Sequence, residues 1–347
     1  MIDLKTNYCG LHLKNPIVIG ASNIVTDPGN LRKLEQAGAG AVVYKSLFEE
    51  QIQMESVEWE QRHQDFSNWD SEHETFFPQV KHAGPAEHLL RLRDARQALT
   101  IPLIGSLNCV TPELWVEYAG RLAETGIDAL ELNFYYHNMD FKKPAIEIEE
   151  EQISILKKVK QAVRIPVAVK LSPFYSNILS VVSRFDASDA NGFVLFNRLF
   201  QPDIDIDQEA HHFPYNFSSE ADNRLALRYA GLLYSRVYGS IIANTGILHG
   251  RDVIKMLLAG ADAVQVVSAI YKRGIPAIEA MLQEIEAWMK KKGYSSVNEF
   301  RGKLAKENLG DPFTYKRAQY VDILMKSEIF MQYHPKRGEL DLGHDDI

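Results

Sequence analysis

Apolar residues in this chain come in short, almost unbroken runs, each closed by polar side chains and followed by a longer stretch with helical spacing. The runs occupy 16–21, 41–45, 103–106, 129–133, 167–171, 192–196, 240–244 and 263–267. Continuous hydrophobicity over so few positions marks strands buried on both faces, as parallel sheets require. The segments between them predict helices over 31–37, 86–99, 112–125, 146–163, 178–185, 223–238, 252–259 and 276–292. Thr111-Pro112 supplies a hydroxyl cap followed by proline at the first helical position. A weak internal repeat adds punctuation: Ala37-Gly38-Ala39, Thr125-Gly126-Ile127 and Ala259-Gly260-Ala261 each end a helix on glycine just before a strand. Glycine there adopts the left-handed conformation that turns the chain back inward. Eight alternations with a recurring turn predict an α/β fold, a closed (β/α)8 TIM barrel in preference to a doubly wound sheet.

Two segments exceed the minimal repeat. Residues 46–85 follow the second strand and 197–222 follow the sixth, so both insertions belong on the carboxyl-terminal face, where barrel loops build sites. The barrel is expected to span 1–306. A C-terminal extension, 307–347, should be helical over 312–325 and too polar for stable order over 334–347.

Composition narrows the function. A net charge of −8 leaves no broad basic face for nucleic acid. No apolar stretch is long enough for a bilayer and the N-terminus has no signal core, so the expectation is a cytoplasmic protein with no membrane partner. The two cysteines, Cys9 and Cys109, form no disulfide framework and no iron–sulfur cluster. Cys109 reads as a buried inert thiol. The histidines at 63, 73, 82 and 88 lack paired-ligand spacing, and His211-His212 is poorly arranged for one ion, so no metal site is expected.

In a barrel the strand ends share one mouth. Ala21, Ser22, Lys45, Ser46, Ser106, Asn108, Asn133, Lys170, Asn197, Asn244, Thr245, Gly246 and Ser268 then converge. Lys45 and Lys170 each directly follow apolar residues, so their stems begin inside the wall, where an ammonium needs an anionic partner. Amides and two cations suit a flavin ring, with a cation near N1/O2 to stabilise its reduced form. The last two strand ends are where barrels commonly hold a phosphate.

These residues resemble the dihydroorotate dehydrogenases, most closely the soluble class, from about Asn15 to Lys306. Asn15-Pro16-Ile17-Val18-Ile19-Gly20-Ala21-Ser22 is similar to the family's opening strand. Val43-Tyr44-Lys45-Ser46, Glu131-Leu132-Asn133, Val169-Lys170-Leu171-Ser172-Pro173, Asn244-Thr245-Gly246-Ile247 and residues 260–266 and 293–304 follow its order and spacing. The resemblance implies FMN as cofactor and oxidation of dihydroorotate to orotate, a base taking the C5 proton while hydride leaves C6 for flavin N5. By position, Lys45 would bridge flavin and substrate, Asn133 and Asn138 would hydrogen-bond the substrate or flavin, and Asn197 would meet the substrate. Lys170 would stabilise reduced flavin, and Ser106, Asn108, Thr245, Gly246 and Ser268 would hold the ring and phosphate. Related soluble enzymes pair, which implies a homodimer.

Three departures stand out. Where the family carries a cysteine or serine base, this chain has Tyr136, a phenol with an ordinary pKa of about 10, beside His137, whose ordinary pKa suits a base better, so which of the two is the base stays open. The substrate-loop pattern Asn-x-x-Gly-(Leu/Phe)-x-Asn is absent from Phe66-Ser67-Asn68-Trp69-Asp70-Ser71. Ser218-Ser219 replaces a glycine pair. They leave open a different cyclic or unsaturated substrate for the same flavin, or a non-catalytic barrel that binds flavin or phosphate. The electron acceptor is equally open.

Overall fold

A computed structural model describes residues 2–53, 84–135, 140–199, 201–212, 217–311, 313–316 and 318–325. Among them, eight parallel strands close into a barrel: β3 (Ile17–Ile19), β4 (Ala41–Val43), β6 (Leu103–Asn108), β7 (Ala129–Asn133), β8 (Val167–Leu171), β9 (Gly192–Leu195), β12 (Ser240–Asn244) and β13 (Ala263–Val266). Pairing of β4 with both β3 and β6 completes the ring. A two-residue strand, β5 (Leu47–Phe48), prolongs the β4 edge along Leu107 and Asn108. The remaining strands lie outside the ring: an N-terminal hairpin, β1 (Thr6–Tyr8) with β2 (Leu11–Leu13), and an exposed hairpin in the second insertion, β10 (Asp203–Asp205) with β11 (Ala210–His212).

Side chains alternate along each strand. Val18, Ala41, Val43, Ile104, Ala129, Ala168, Val194, Ile242 and Ala263 form one buried cluster inside the ring, together with Tyr8, Cys9 and Leu13 of the hairpin. Their strand neighbours, such as Val42, Leu103, Leu130, Val169 and Phe193, pack in the outer layer with the helices. Thr6 donates to the Asp262 carbonyl and the Cys9 amide donates to Ser240 Oγ, so the hairpin plugs the amino-terminal end of the barrel. With that end closed, the open end is the one the strands point towards.

The helices follow the predicted register with small shifts. Gly38, Gly126 and Gly260 all have positive φ, as the repeat required. The helix predicted over 223–238 stops at Leu233, because Ser235 takes a positive φ and Tyr234 turns under Gly260 and Gly302. The helix at Pro112–Ala123 begins where expected, but Thr111 makes no side-chain cap bond. Its hydroxyl donates to Glu49 instead, at 2.6 Å, and Glu49 also accepts the Val110 and Thr111 amides at 2.6 and 2.8 Å. A carboxylate from the segment after β5 thus caps this helix from outside. Burial raises the Glu49 carboxyl pKa, but the bonds from Thr111 and Val110 outweigh it and hold the group below its ordinary value. A depressed carboxyl contributes stability above its unfolded pKa and loses it as pH falls through the folded value. Glu49→Ala is expected to cost about 2 kcal/mol at neutral pH, with a deficit that shrinks in acid, read by denaturant unfolding of both proteins across pH.

In the C-terminal extension, a helix at Ala318–Met325 falls inside the predicted span, and residues 334–347 lie outside the described residues. Among the described residues, no helix is long and apolar enough to cross a membrane.

Candidate active site

Strand parity decides what enters the open mouth. If Ala41 and Val43 face inward, so does Lys45, and if Ala168 faces inward, so does Lys170. The same count aims Glu131 and Asn133 on β7, Asn244 on β12 and Gln265 on β13 into the ring. A cavity of about 480 Å³ occupies this mouth. Of the residues predicted from sequence, Ala21, Ser22, Lys45, Ser46, Asn133, Lys170, Asn197, Asn244, Thr245, Gly246 and Ser268 line it. The two lysines therefore share one cavity.

Ser106 and Asn108 point the same way but lie behind the wall. Ser106 Oγ is 2.7 Å from Ser46 Oγ, and Asn108 Nδ2 donates to the carbonyls of Asn133 at 2.7 Å and Tyr135 at 3.1 Å. They brace the residues that line the cavity. Tyr136, His137 and Asn138 lie outside the described residues, as does 66–71. Sequence reasoning missed Phe48, Tyr135, Arg198, Phe217, Gln265 and Tyr271, which also line the cavity. Only Gln265 carried a signal, as an amide inside an apolar strand.

The cavity has three chemically distinct parts. Near Lys45, burial and then the charge of Arg91 lower the ammonium's pKa. Behind it His88 is buried against the Tyr44 ring, 5.4 Å between centroids, and burial, Lys45 and Arg91 depress its pKa to about 4. A neutral His88 adds no third charge there. At the floor, Lys170 Nζ lies 3.5 Å from Glu131 Oε1 and 3.4 Å from Gln265 Oε1. At the far end Thr245 and Gly246 both have positive φ, and Ser268 Oγ accepts from the Ser218 amide at 3.1 Å and hydroxyl at 2.9 Å. Asn223 Nδ2 donates to the Gly246 carbonyl at 3.2 Å. Ser218, one of the pair standing where glycines were expected, is thus buried and spent on orienting Ser268.

Two cavity-lining polar atoms, Ser22 Oγ and Asn133 Oδ1, are buried with no hydrogen-bond partner among the described residues. Unsatisfied buried polar atoms are costly in a folded protein, so both fit a ligand with hydrogen-bonding edges. The residues present suit an isoalloxazine ring: amide and hydroxyl groups at its edge, a cation on either side, and a glycine-containing turn for a phosphate. Cys109 is buried, and burial, with Glu49 and Glu50, pushes its thiol pKa up, consistent with an inert side chain. Among the described residues, no group of His, Cys, Asp and Glu side chains is arranged to hold a metal ion.

A closed parallel barrel with a polar, lysine-bearing cavity at its carboxyl end defines a barrel enzyme of the kind that works on small molecules. The family profile described as dihydroorotate dehydrogenase matches residues 81–289, and the chain belongs to that family, whose members are oxidoreductases acting on CH–CH groups. Among curated proteins, the chain is 28% identical to the catalytic subunit of dihydroorotate dehydrogenase B (NAD(+)) from Methanocaldococcus jannaschii over 83% of this chain and 94% of that protein. It is 26% identical to the corresponding subunit from Thermoplasma volcanium, covering 87% and 98%. Dihydroorotate dehydrogenase A (fumarate) from Lactobacillus helveticus is 30% identical over 63% of this chain and 72% of that protein.

Proposed function

We propose that this chain binds FMN in the cavity between Lys45 and Lys170 and oxidises dihydroorotate to orotate. One observation carries the reading: two inward lysines share a cavity in which buried Ser22 Oγ and Asn133 Oδ1 have no hydrogen-bond partner among the described residues. When bound, FMN supplies the hydride acceptor, its N5. Asn133 and Asn197 orient the substrate, together with Asn138. Asn197 is itself fixed: its amide N–H donates to the Leu171 carbonyl at 2.8 Å, and Nδ2 lies 3.4 Å from the Phe134 and Lys170 carbonyls. Lys45 would reach substrate and ring edge, and Lys170 would supply the positive charge that favours the reduced form. Ala21, Ser22 and Ser46 line the ring, with Ser106 and Asn108 behind them. Asn244, Thr245, Gly246 and Ser268 hold the ribityl phosphate.

Tyr136 takes the C5 proton, with the Lys45 ammonium lowering the cost of a phenolate. Tyr136→Phe is therefore expected to slow anaerobic flavin bleaching by dihydroorotate about 100-fold while FMN stays bound. Unchanged bleaching removes Tyr136 from the chemistry. The departures at 66–71 and 136 favour one second reading, another cyclic or unsaturated CH–CH substrate at the same flavin. Wild-type protein that carries FMN but is not bleached by dihydroorotate selects that reading.

The same proposal places the FMN-binding barrel at 1–306 with 307–347 as an appended segment, in a cytoplasmic homodimer. Gel filtration with light scattering decides the dimer. Relatives carry either NAD(+) or fumarate in their names, and stopped-flow reoxidation with each acceptor assigns the partner reaction.

A further inference from the structure

Beneath the cavity is a buried polar network that the proposed chemistry does not use. Glu131 is fully buried on β7, and its Oε2 accepts from Gln265 Nε2 at 2.5 Å and lies 3.4 Å from the Tyr8 hydroxyl. Among the described residues its Oε1 has no hydrogen bond, and it faces Lys170 Nζ at 3.5 Å. Gln265 is 1% exposed and Tyr8 fully buried, so water does not screen the carboxylate. Gln265 ties the group together: its Oε1 lies 3.4 Å from Lys170 Nζ while its Nε2 holds Glu131. Tyr8 reaches this layer from the hairpin that plugs the opposite end of the barrel.

Burying a carboxylate is costly, and an apolar residue would pack the floor with less penalty. A carboxylate held there by a directed amide, and left open towards one lysine, acts on that lysine. We propose that Glu131 is a positioning residue that sets the electrostatic potential at the cofactor through Lys170, holding down the reduction potential of bound FMN. This rests on the FMN reading above. With Glu131 ionised, the Lys170 charge is partly offset. Remove the carboxylate and the full ammonium charge acts on the ring, which favours the reduced anion.

The test is the reduction potential of FMN in purified holoenzyme, measured by dye equilibration in wild type, Glu131→Gln, and the exchange variant Glu131→Gln with Gln265→Glu. Glu131→Gln is expected to raise the potential by at least ~30 mV, tenfold in the two-electron equilibrium. The exchange variant moves the carboxylate to the neighbouring side chain, at nearly the same distance from Lys170, and is expected to restore the wild-type value. It also serves if the single variant does not fold, since it keeps one carboxylate and one amide in the same space. A purely structural Glu131 predicts altered thermal stability with an unmoved potential, and that result overturns the inference. So does a fall in potential, or an exchange variant whose potential stays displaced. A wild-type chain that takes up no FMN overturns the functional reading and the inference with it; bound FMN with an unmoved potential overturns the inference alone.

Discussion

Replacing Lys45 with Met is expected to slow flavin reduction by dihydroorotate about 10²–10³-fold without lowering the melting temperature. The two effects separate because the proposed role of the lysine is towards the ligand and not the fold. Its ammonium is half-buried, its pKa is lowered by burial and by Arg91, and the described residues give it no hydrogen bond or ion pair. A lysine whose folded pKa is depressed destabilises the native state wherever it stays protonated, so an isosteric apolar side chain relieves that cost at neutral pH. Its functional replacement has no such substitute. Stopped-flow reduction and thermal melting on the same preparation check both halves. A Met variant that is less stable and equally fast would mean that Lys45 serves packing.

Gly246→Val is expected to weaken FMN binding at least ~100-fold and to lower stability by about 2 kcal/mol or more. The residue has φ +71°, and a Cβ there would sit 2.6 Å from the Asn223 amide nitrogen and 2.7 Å from the Ser219 carbonyl. Both are backbone atoms of the segment that carries Ser218 and opens the following helix, so neither can swing aside as a side-chain tip does. Relief requires moving the turn away from Ser268, where the phosphate is proposed to bind. Gly10→Val is the matched control. That glycine has φ +87°, but no heavy atom of the described residues would lie within 4 Å of its Cβ, so its substitution should strain the backbone and leave FMN affinity unchanged. Fluorescence titration of apoprotein with FMN measures both. Equal losses at the two positions would show that strain alone, and not the phosphate turn, is responsible.

The barrel was legible because its strands are buried on both faces, so each wrote a short continuous apolar run into the chain, and the glycines after the helices marked the returns. Parity carried the site further: Lys45 and Lys170 share a phase with alanines of the inner cluster, and both enter the cavity. The limits are physical too. Ser106 and Asn108 have the right phase but sit behind Ser46 and Asn133, and depth leaves no trace in a linear pattern. Strands of three residues, such as Thr6–Tyr8 and Leu11–Leu13, are too short for periodicity to register, so the plug went unseen. Glu131 and Gln265 each stand as one polar residue within an apolar run, a signal that has no meaning until the partner across the barrel is known. Thr111 looked like a cap because its type and position are right, yet a carboxylate more than sixty residues away in sequence took that role.

Under the proposed function, one FMN lies between the two lysines. Purify the chain, record its absorption spectrum, and quantify released cofactor against protein before and after incubation with FMN. A yellow protein with one FMN per chain is the predicted result. A colourless chain that takes up no FMN on reconstitution would contradict it.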